Sequence, residues 1–275
     1  MKLKLITAII ISGLTLFSCK KELSYEKGNE VPPTECTPDY KGGCNLISAT
    51  YNTFDPNNPS ITYNFTYVGN MIAKITSDYG FNINISYNSD KLISRLDYED
   101  DASGEIFYYE ELFYNSQKKP DSLRSWMLGV NGYEYNSRYE FFYSGNGLLS
   151  KKVFWLNDET QGELVKQETY SFQYDNNQVT LITDTLNTEN PPITIPYSIN
   201  PSSVCNPFQI VYPQIELFDF YGDDFNSGYT VLFNSQKVPA SINGLSVLYT
   251  YNNKNAPTSI MINGDLLATY VYDCP

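Results

Sequence analysis

The 275-residue chain contains no histidine. That absence removes Ser-His-Asp and Cys-His nucleophilic catalysis and most zinc hydrolases. Its five cysteines include no Cys-x-x-Cys pair, so a zinc site would have to be assembled from scattered thiolates, and no metal or cofactor is expected. There is no glycine-rich phosphate loop. Basic residues are scarce, with 18 Lys and Arg against 31 Asp and Glu and a net charge of −13. Nucleic acid is bound by neutralising phosphates, so it is not an expected partner; acidity on this scale serves the solubility of an exported protein. The apolar run from Leu5 to Phe17 is too short for a spanning helix, which needs roughly 20 residues.

Carboxylates are what remain for chemistry. Asp219, Asp223 and Asp224 in DFYGDDFNSG form the densest group and lie beside aromatic residues. A carboxylate pair is the minimum for glycoside hydrolysis, which makes a carbohydrate-active hydrolase the alternative to a non-enzymatic protein. In so acidic a chain, a solvated loop accounts for the same cluster more simply. Asp97, Glu99 and Asp101 in DYEDDASGE alternate in a way that suits calcium, but the glycine is displaced from the EF-hand position. The segment Asp97 to Glu105 reads as a hairpin-tip loop.

Lys2, Lys4 and the apolar run read as an export signal over residues 1–18. The segment LFSC, Leu16 to Cys19, resembles the lipobox of bacterial lipoproteins. That resemblance implies cleavage before Cys19, lipidation of Cys19, and membrane attachment through the N-terminal lipid, which several acyl chains make stable. Loss of Lys2 and Lys4 takes the net charge from −13 to −15. Residues 19–35 are polar, broken by Pro32-Pro33 and without apolar period, as expected of a flexible tether. In an oxidising compartment the other four cysteines, Cys36, Cys44, Cys205 and Cys274, favour two disulfides. Three pairings are open. The short Gly42-Gly43 loop favours Cys36 with Cys44, leaving Cys205 with Cys274 to pin the last strand.

Residues 36–275 carry a repeat. YNSQKKPDSL (Tyr114 to Leu123) recurs as FNSQKVPASI (Phe233 to Ile242), YNNKNAPTSI (Tyr251 to Ile260) and YNSDKLISRL (Tyr87 to Leu96). In each copy an aromatic residue ends an alternating run, a polar turn follows, and an aliphatic residue stands nine positions after the aromatic. Pro120, Pro239 and Pro257 occupy the same place, where each is expected to begin the return strand. Alternation is clean over Ile61 to Tyr67 and Phe81 to Tyr87, as in half-buried strands. Further hairpins end at Tyr143 and Tyr174, with turns at Ser144 to Gly147 and Asp175 to Gln178 supplying the left-handed positions that tight turns need. Residues 184–224 break the rhythm, and six prolines there exclude central strands. The fold expected is all-β: one large antiparallel meander of tandem hairpins, curled or closed into a barrel-like sheet.

These hairpins resemble the tyrosine-rich YD or RHS-type repeats of bacterial surface proteins. With the lipobox and tether, the chain is similar to uncharacterised Bacteroidetes lipoproteins described as having a porin-like fold. The resemblance implies a barrel-like sheet and an outer-membrane lipoprotein of the cell envelope; it brings no catalytic residue. Transmembrane strands need about 9 to 11 residues with an apolar band facing lipid, and the runs here are shorter, so a water-facing meander is expected. The only tryptophans, Trp126 and Trp155, each stand twelve positions after their unit's aromatic. Equivalent places in adjacent hairpins bring them together as a platform for a glycan or protein ligand; plugging the core is the other use of such rings. The function expected is a membrane-anchored, non-enzymatic ligand- or partner-binding module, with a purely structural envelope protein as a further alternative.

Overall fold

The computed structural model describes residues 44–52, 60–158, 162–205 and 237–274. Residues 1–35, with Cys19, and Cys36, Asp219, Asp223, Asp224 and Phe233 lie outside the described residues. Sixteen strands form one antiparallel meander. The first eight are β1 (Asn45–Asn52), β2 (Ser60–Val68), β3 (Met71–Ser77), β4 (Phe81–Tyr87), β5 (Ile93–Asp100), β6 (Ile106–Tyr114), β7 (Pro120–Gly129) and β8 (Gly132–Tyr143). The rest are β9 (Leu149–Asp158), β10 (Glu163–Asp175), β11 (Gln178–Leu186), β12 (Ile193–Cys205), β13 (Lys237–Ile242), β14 (Leu245–Tyr251), β15 (Pro257–Ile262) and β16 (Asp265–Asp273). Each strand pairs with its sequence neighbour, and β1 pairs with β16, closing a barrel.

Each repeat is a local device for reversing the chain. The register shifts by a bulge at the same point in six hairpins, immediately before Tyr67, Tyr87, Tyr114, Tyr143, Tyr174 and Tyr251. After three of these tyrosines an asparagine folds its side chain back into the turn. Asn88 Oδ1 accepts the amides of Asp90 and Leu92 at 3.0 Å, Asn115 those of Gln117 and Lys119 at 2.9 and 3.1 Å, and Asn252 those of Lys254 and Ala256 at 2.9 and 3.0 Å. Lys91, Lys118 and Asn255 take the left-handed conformation, φ 60–62°, that completes each turn. Pro120 and Pro257 then open their return strands opposite Tyr114 and Tyr251; Pro239 instead falls inside β13.

The tyrosines also join one hairpin to the one before it. The hydroxyls of Tyr67, Tyr87, Tyr114 and Tyr174 donate to the carbonyls of Leu46, Ile72, Ile93 and Leu149 at 2.7–2.9 Å. A ring that closes one turn thus satisfies a carbonyl in an earlier strand. This gives the aromatic position a polar as well as an apolar reason to be tyrosine.

A round sixteen-stranded barrel encloses a water channel. Here the inward-facing side chains are buried instead: Leu46, Ile75, Ile83, Leu96, Ile182 and Ile260 are at most 2 % exposed. One continuous apolar cluster takes in β1–β7 and β11–β16, so over this part of the barrel the inward side chains pack on one another. Tyr270, Tyr51, Tyr63, Phe81, Tyr98 and Tyr108 form a chain of interior rings with successive centroids 5.0–6.3 Å apart.

Three expectations are corrected. Cys44 is bonded to Cys274, which excludes both favoured pairings. Closure of the sheet brings the start of β1 beside the end of β16, and Asn45 lies opposite Asp273; that proximity is invisible to an argument from loop length. Second, the segment from Asp97 is not a loop: β5 runs to Asp100, and the tip is Asp101 to Gly104. Asp97 accepts from Arg95, Glu99 from Asn84 and Asp101 from Asn82, so the three acids do not converge. Among the described residues no group of three or more His, Cys, Asp or Glu is placed to hold a metal.

Third, residues 184–205 belong largely to the sheet, in β11 and the thirteen-residue β12, despite Pro196 and Pro201. The registers explain how. From Ile193 to Ser198, β12 pairs with β11; from Ile199 onward it pairs with β13, with shifts on both sides of Pro201. Each half is therefore paired on one side, and proline is tolerated where its missing N–H would point to the unpaired side.

Candidate functional site

Most of the outer wall is built from small polar residues. Ser48, Thr50, Thr62, Asn64, Thr66, Thr76, Asn84, Thr250, Ser259 and Thr269 occupy the positions alternating with the core, and pairs such as Thr50–Thr62 and Thr250–Ser259 are hydrogen bonded at 3.1 and 2.7 Å. Between β5 and β9 the outer face changes. Alternation against the buried Leu96, Leu112 and Leu123 and the core-packed Tyr139 turns Arg95, Tyr109, Glu111, Phe113, Arg124, Trp126, Arg138, Glu140 and Trp155 outward.

The chain contains only three arginines, Arg95, Arg124 and Arg138, and cross-strand register places them on one row of this face. Arg95 lies opposite Glu111, Glu111 opposite Arg124, Arg124 opposite Arg138, and Arg138 opposite Trp155. Each guanidinium sits over a ring: Arg95 over Tyr109 at 3.7 Å, Arg124 over Phe113 at 4.5 Å and Arg138 over Trp155 at 5.6 Å. Arg95 also bonds Asp97 at 2.7 Å and Glu111 at 3.5 Å. Burial pulls its charge down, and these two carboxylates more than compensate, holding it above the ordinary arginine value. Glu140 is held from two sides, by Arg138 Nη2 and by the indole N–H of Trp155, each at 2.9 Å.

Both sequence-nominated tryptophans are here, on β7 and β9 with β8 between them, and both are half-buried on the outer face rather than in the core. Their posture differs from a flat platform. The rings of Tyr109 and Trp126 are stacked at 4.9 Å with 15° between planes, and that separation equals the spacing of neighbouring strands. The rings therefore stand upright on the sheet, face to face across the strands. Arg95 covers the far side of Tyr109, and Tyr135 leans on Trp126 at 5.5 Å. What the row offers outward is ring edges, which carry the positive end of the aromatic quadrupole. Burial pushes the Tyr135 phenol up, opposed by Arg138 and Arg124.

Sequence reasoning missed the arginine row and a buried polar group inside the barrel. Glu110, 7 % exposed, accepts from Tyr108 at 2.9 Å and Tyr98 at 3.3 Å. Burial, and then the Glu110 charge, push the Tyr108 phenol far above its ordinary value. Ser125 and Ser137, opposite one another, share a 2.6 Å hydrogen bond in the same interior row. An acidic residue in a run of alternating aromatics was the available signal. Cys205 ends β12 opposite Lys237.

No family model matches the chain, and no curated protein does. The chain is similar to solved porin-like proteins of Bacteroides. One, from Bacteroides uniformis, is 11 % identical over 83 % of this chain and 98 % of its own, with a TM-score of 0.49. Another, from Bacteroides vulgatus, is 13 % identical over 84 % of this chain and 98 % of its own, with a TM-score of 0.37. A DUF3836 family protein from Parabacteroides distasonis is 23 % identical over 32 % of this chain and 87 % of its own, with a TM-score of 0.26. At these levels of similarity the assignment of fold rests on the strand pairing described above.

Proposed function

We propose that this protein is a non-enzymatic binding module of the cell envelope, held to a membrane through lipid on Cys19, and that its binding surface is the outer face of β5–β9. One observation carries this reading: all three arginines and both tryptophans of the chain share one outer face of the barrel, between β5 and β9. Trp, Tyr and Arg are the residue types that dominate binding hot spots. Here they are already held by one another, so less ordering entropy is lost on binding than for free surface side chains.

The test is tryptophan fluorescence of the full chain during titration with neutral glycans, acidic glycans and solubilised envelope fractions. A saturable change is expected with at least one of these and should disappear in Trp126→Ala/Trp155→Ala while the β-sheet circular dichroism is kept. No response to any of them, or a response that survives the double substitution, overturns the assignment of the face.

A further inference from the structure

We infer that the face takes an acidic glycan, a chain of uronate sugars lying across the strands over Arg124 and Arg138; the inference rests on the binding reading above and names its ligand class. The first ground is charge. Arg124 and Arg138 are directly opposite, an arrangement that destabilises a sheet when both charges are alike. Arg138 has Glu140, and Arg95 has Asp97 and Glu111, whereas no ion pair holds Arg124 among the described residues; its guanidinium rests on Phe113. The chain has 31 acids and uses lysine everywhere outside this row. Arg124 leans over Phe113 on the β6 side and Arg138 over Trp155 on the β9 side, so the two planar guanidinium groups offer separate bidentate positions along the row for successive carboxylates of one chain.

The second ground is the posture of the rings. Tyr109 and Trp126 face each other and Arg95 caps the stack, so those ring faces are occupied and stacking of a neutral sugar on them is not the energy source. Their positive edges instead favour an anionic, oxygen-rich ligand. The third ground is the mixture of partners. Asp97, Glu111 and Glu140 are interleaved with the arginines and accept hydrogen bonds. A uronate brings carboxylates for the guanidinium groups and hydroxyl donors for these acids, while a run of Asp and Glu in a peptide brings only carboxylates. From Arg95 to Arg138 the row crosses three strand spacings, roughly 14 Å, on a convex wall. A linear chain fits that line without needing a concave surface of its own.

The experiment is calorimetric titration of the full chain with oligogalacturonate, with the uncharged galactose oligomer of the same length, and with a poly-glutamate peptide. The oligouronate is expected to bind at least roughly tenfold more tightly than either competitor, and more weakly as salt rises. Arg124→Gln is expected to lose roughly tenfold or more, as for a lost charged hydrogen bond, and Arg124→Lys to recover only part because it lacks the fork. Equal binding of the neutral oligomer, or an unchanged Arg124→Gln, overturns the uronate assignment; the binding face then still stands if Trp126→Ala/Trp155→Ala abolishes that binding. Tighter binding of poly-glutamate overturns it in favour of an acidic protein segment. No binding of any of the three also overturns it, and the face itself is then judged by the fluorescence titrations with other glycans and envelope fractions.

Discussion

The Cys44–Cys274 bond joins residues 230 positions apart, and removing it measures how the barrel is held closed. In the folded state the bond adds little that is not present: β1 and β16 are already paired from Asn45–Asp273 to Tyr51–Ala268. Its effect falls on the unfolded chain, whose freedom it restricts. The chain-entropy relation for a loop of this length gives about 5 kcal/mol at 25 °C, and measured disulfides more often deliver about 2–4 kcal/mol. Cys44→Ala/Cys274→Ala removes the bond without leaving a buried thiol to pair elsewhere. In urea unfolding followed by tryptophan fluorescence, a loss of about 3 kcal/mol with a slope of about 3 kcal/mol/M moves the midpoint by about 1 M. That is a large part of the whole stability of an ordinary domain, about 5–15 kcal/mol. A midpoint that moves by less than about 0.2 M at unchanged slope would refute the reasoning, because it would mean that the ends of the meander are not free of each other even when the chain is unfolded.

Tyr114→Phe keeps the ring and deletes the hydroxyl that bonds the Ile93 carbonyl at 2.7 Å; a loss of about 1 kcal/mol is expected in the same unfolding assay, and no loss would mean that the joining bonds contribute only packing. Burial raises the phenols of Tyr108, Tyr249, Tyr87 and Tyr251 above their ordinary value. The fold therefore favours their neutral forms, and the stability they contribute is complete below about pH 10 and lost as pH climbs through the raised values; phenolate absorbance should show these groups ionising only as the sheet unfolds, and all 25 tyrosines titrating near their ordinary value with the sheet intact would contradict it. With Cys44 and Cys274 bonded, peptide mapping of the unreduced chain is expected to join Cys36 to Cys205, and recovery of either as a free thiol counts against the pairing. Cys19→Ser should abolish lipid labelling and leave the precursor uncleaved; normal processing of that variant would remove the lipid anchor from the proposed function.

Much of the meander is legible because its signals are local. Phe81, Ile83, Ile85 and Tyr87 alternate with polar residues over the length of β4, and the asparagine after Tyr87, Tyr114 and Tyr251 marks a turn because its side chain makes the turn. Partnership is not local, and errors follow from that. Nothing near Cys44 in the sequence points to Cys274, and nothing near Pro196 shows that β12 changes partner half-way. The arginine row is hidden for a related reason. Arg95, Arg124 and Arg138 come into line only through the registers of β5 to β8. Counting from the preceding tyrosine does place Trp126 and Trp155 on the same side.

Nine of the sixteen strands run 9–13 residues, longer than the short runs expected from the sequence, so length does not argue against spanning a membrane; the distribution of polarity is what bears on it. A barrel that spans a membrane turns an apolar band to lipid and lines its interior with polar groups. Here Leu, Ile and Tyr line the inside, and the alternating outward positions hold Thr, Ser and Asn, together with Lys74, Glu99, Arg124, Arg138 and Lys166. A basic side chain facing the middle of a bilayer costs about 2–4 kcal/mol, and these lie on strands spread over much of the circumference. The described wall is therefore built to face water. Among the described residues the inward side chains of β1–β7 and β11–β16 form one apolar cluster, unlike the polar lining of a water channel. From β5 to β9 the outer surface gathers all three arginines and both tryptophans of the chain, and Arg124 and Arg138 lie directly opposite one another. Two arginines directly opposite one another, each resting on an aromatic ring, are where a binding role is most economically placed.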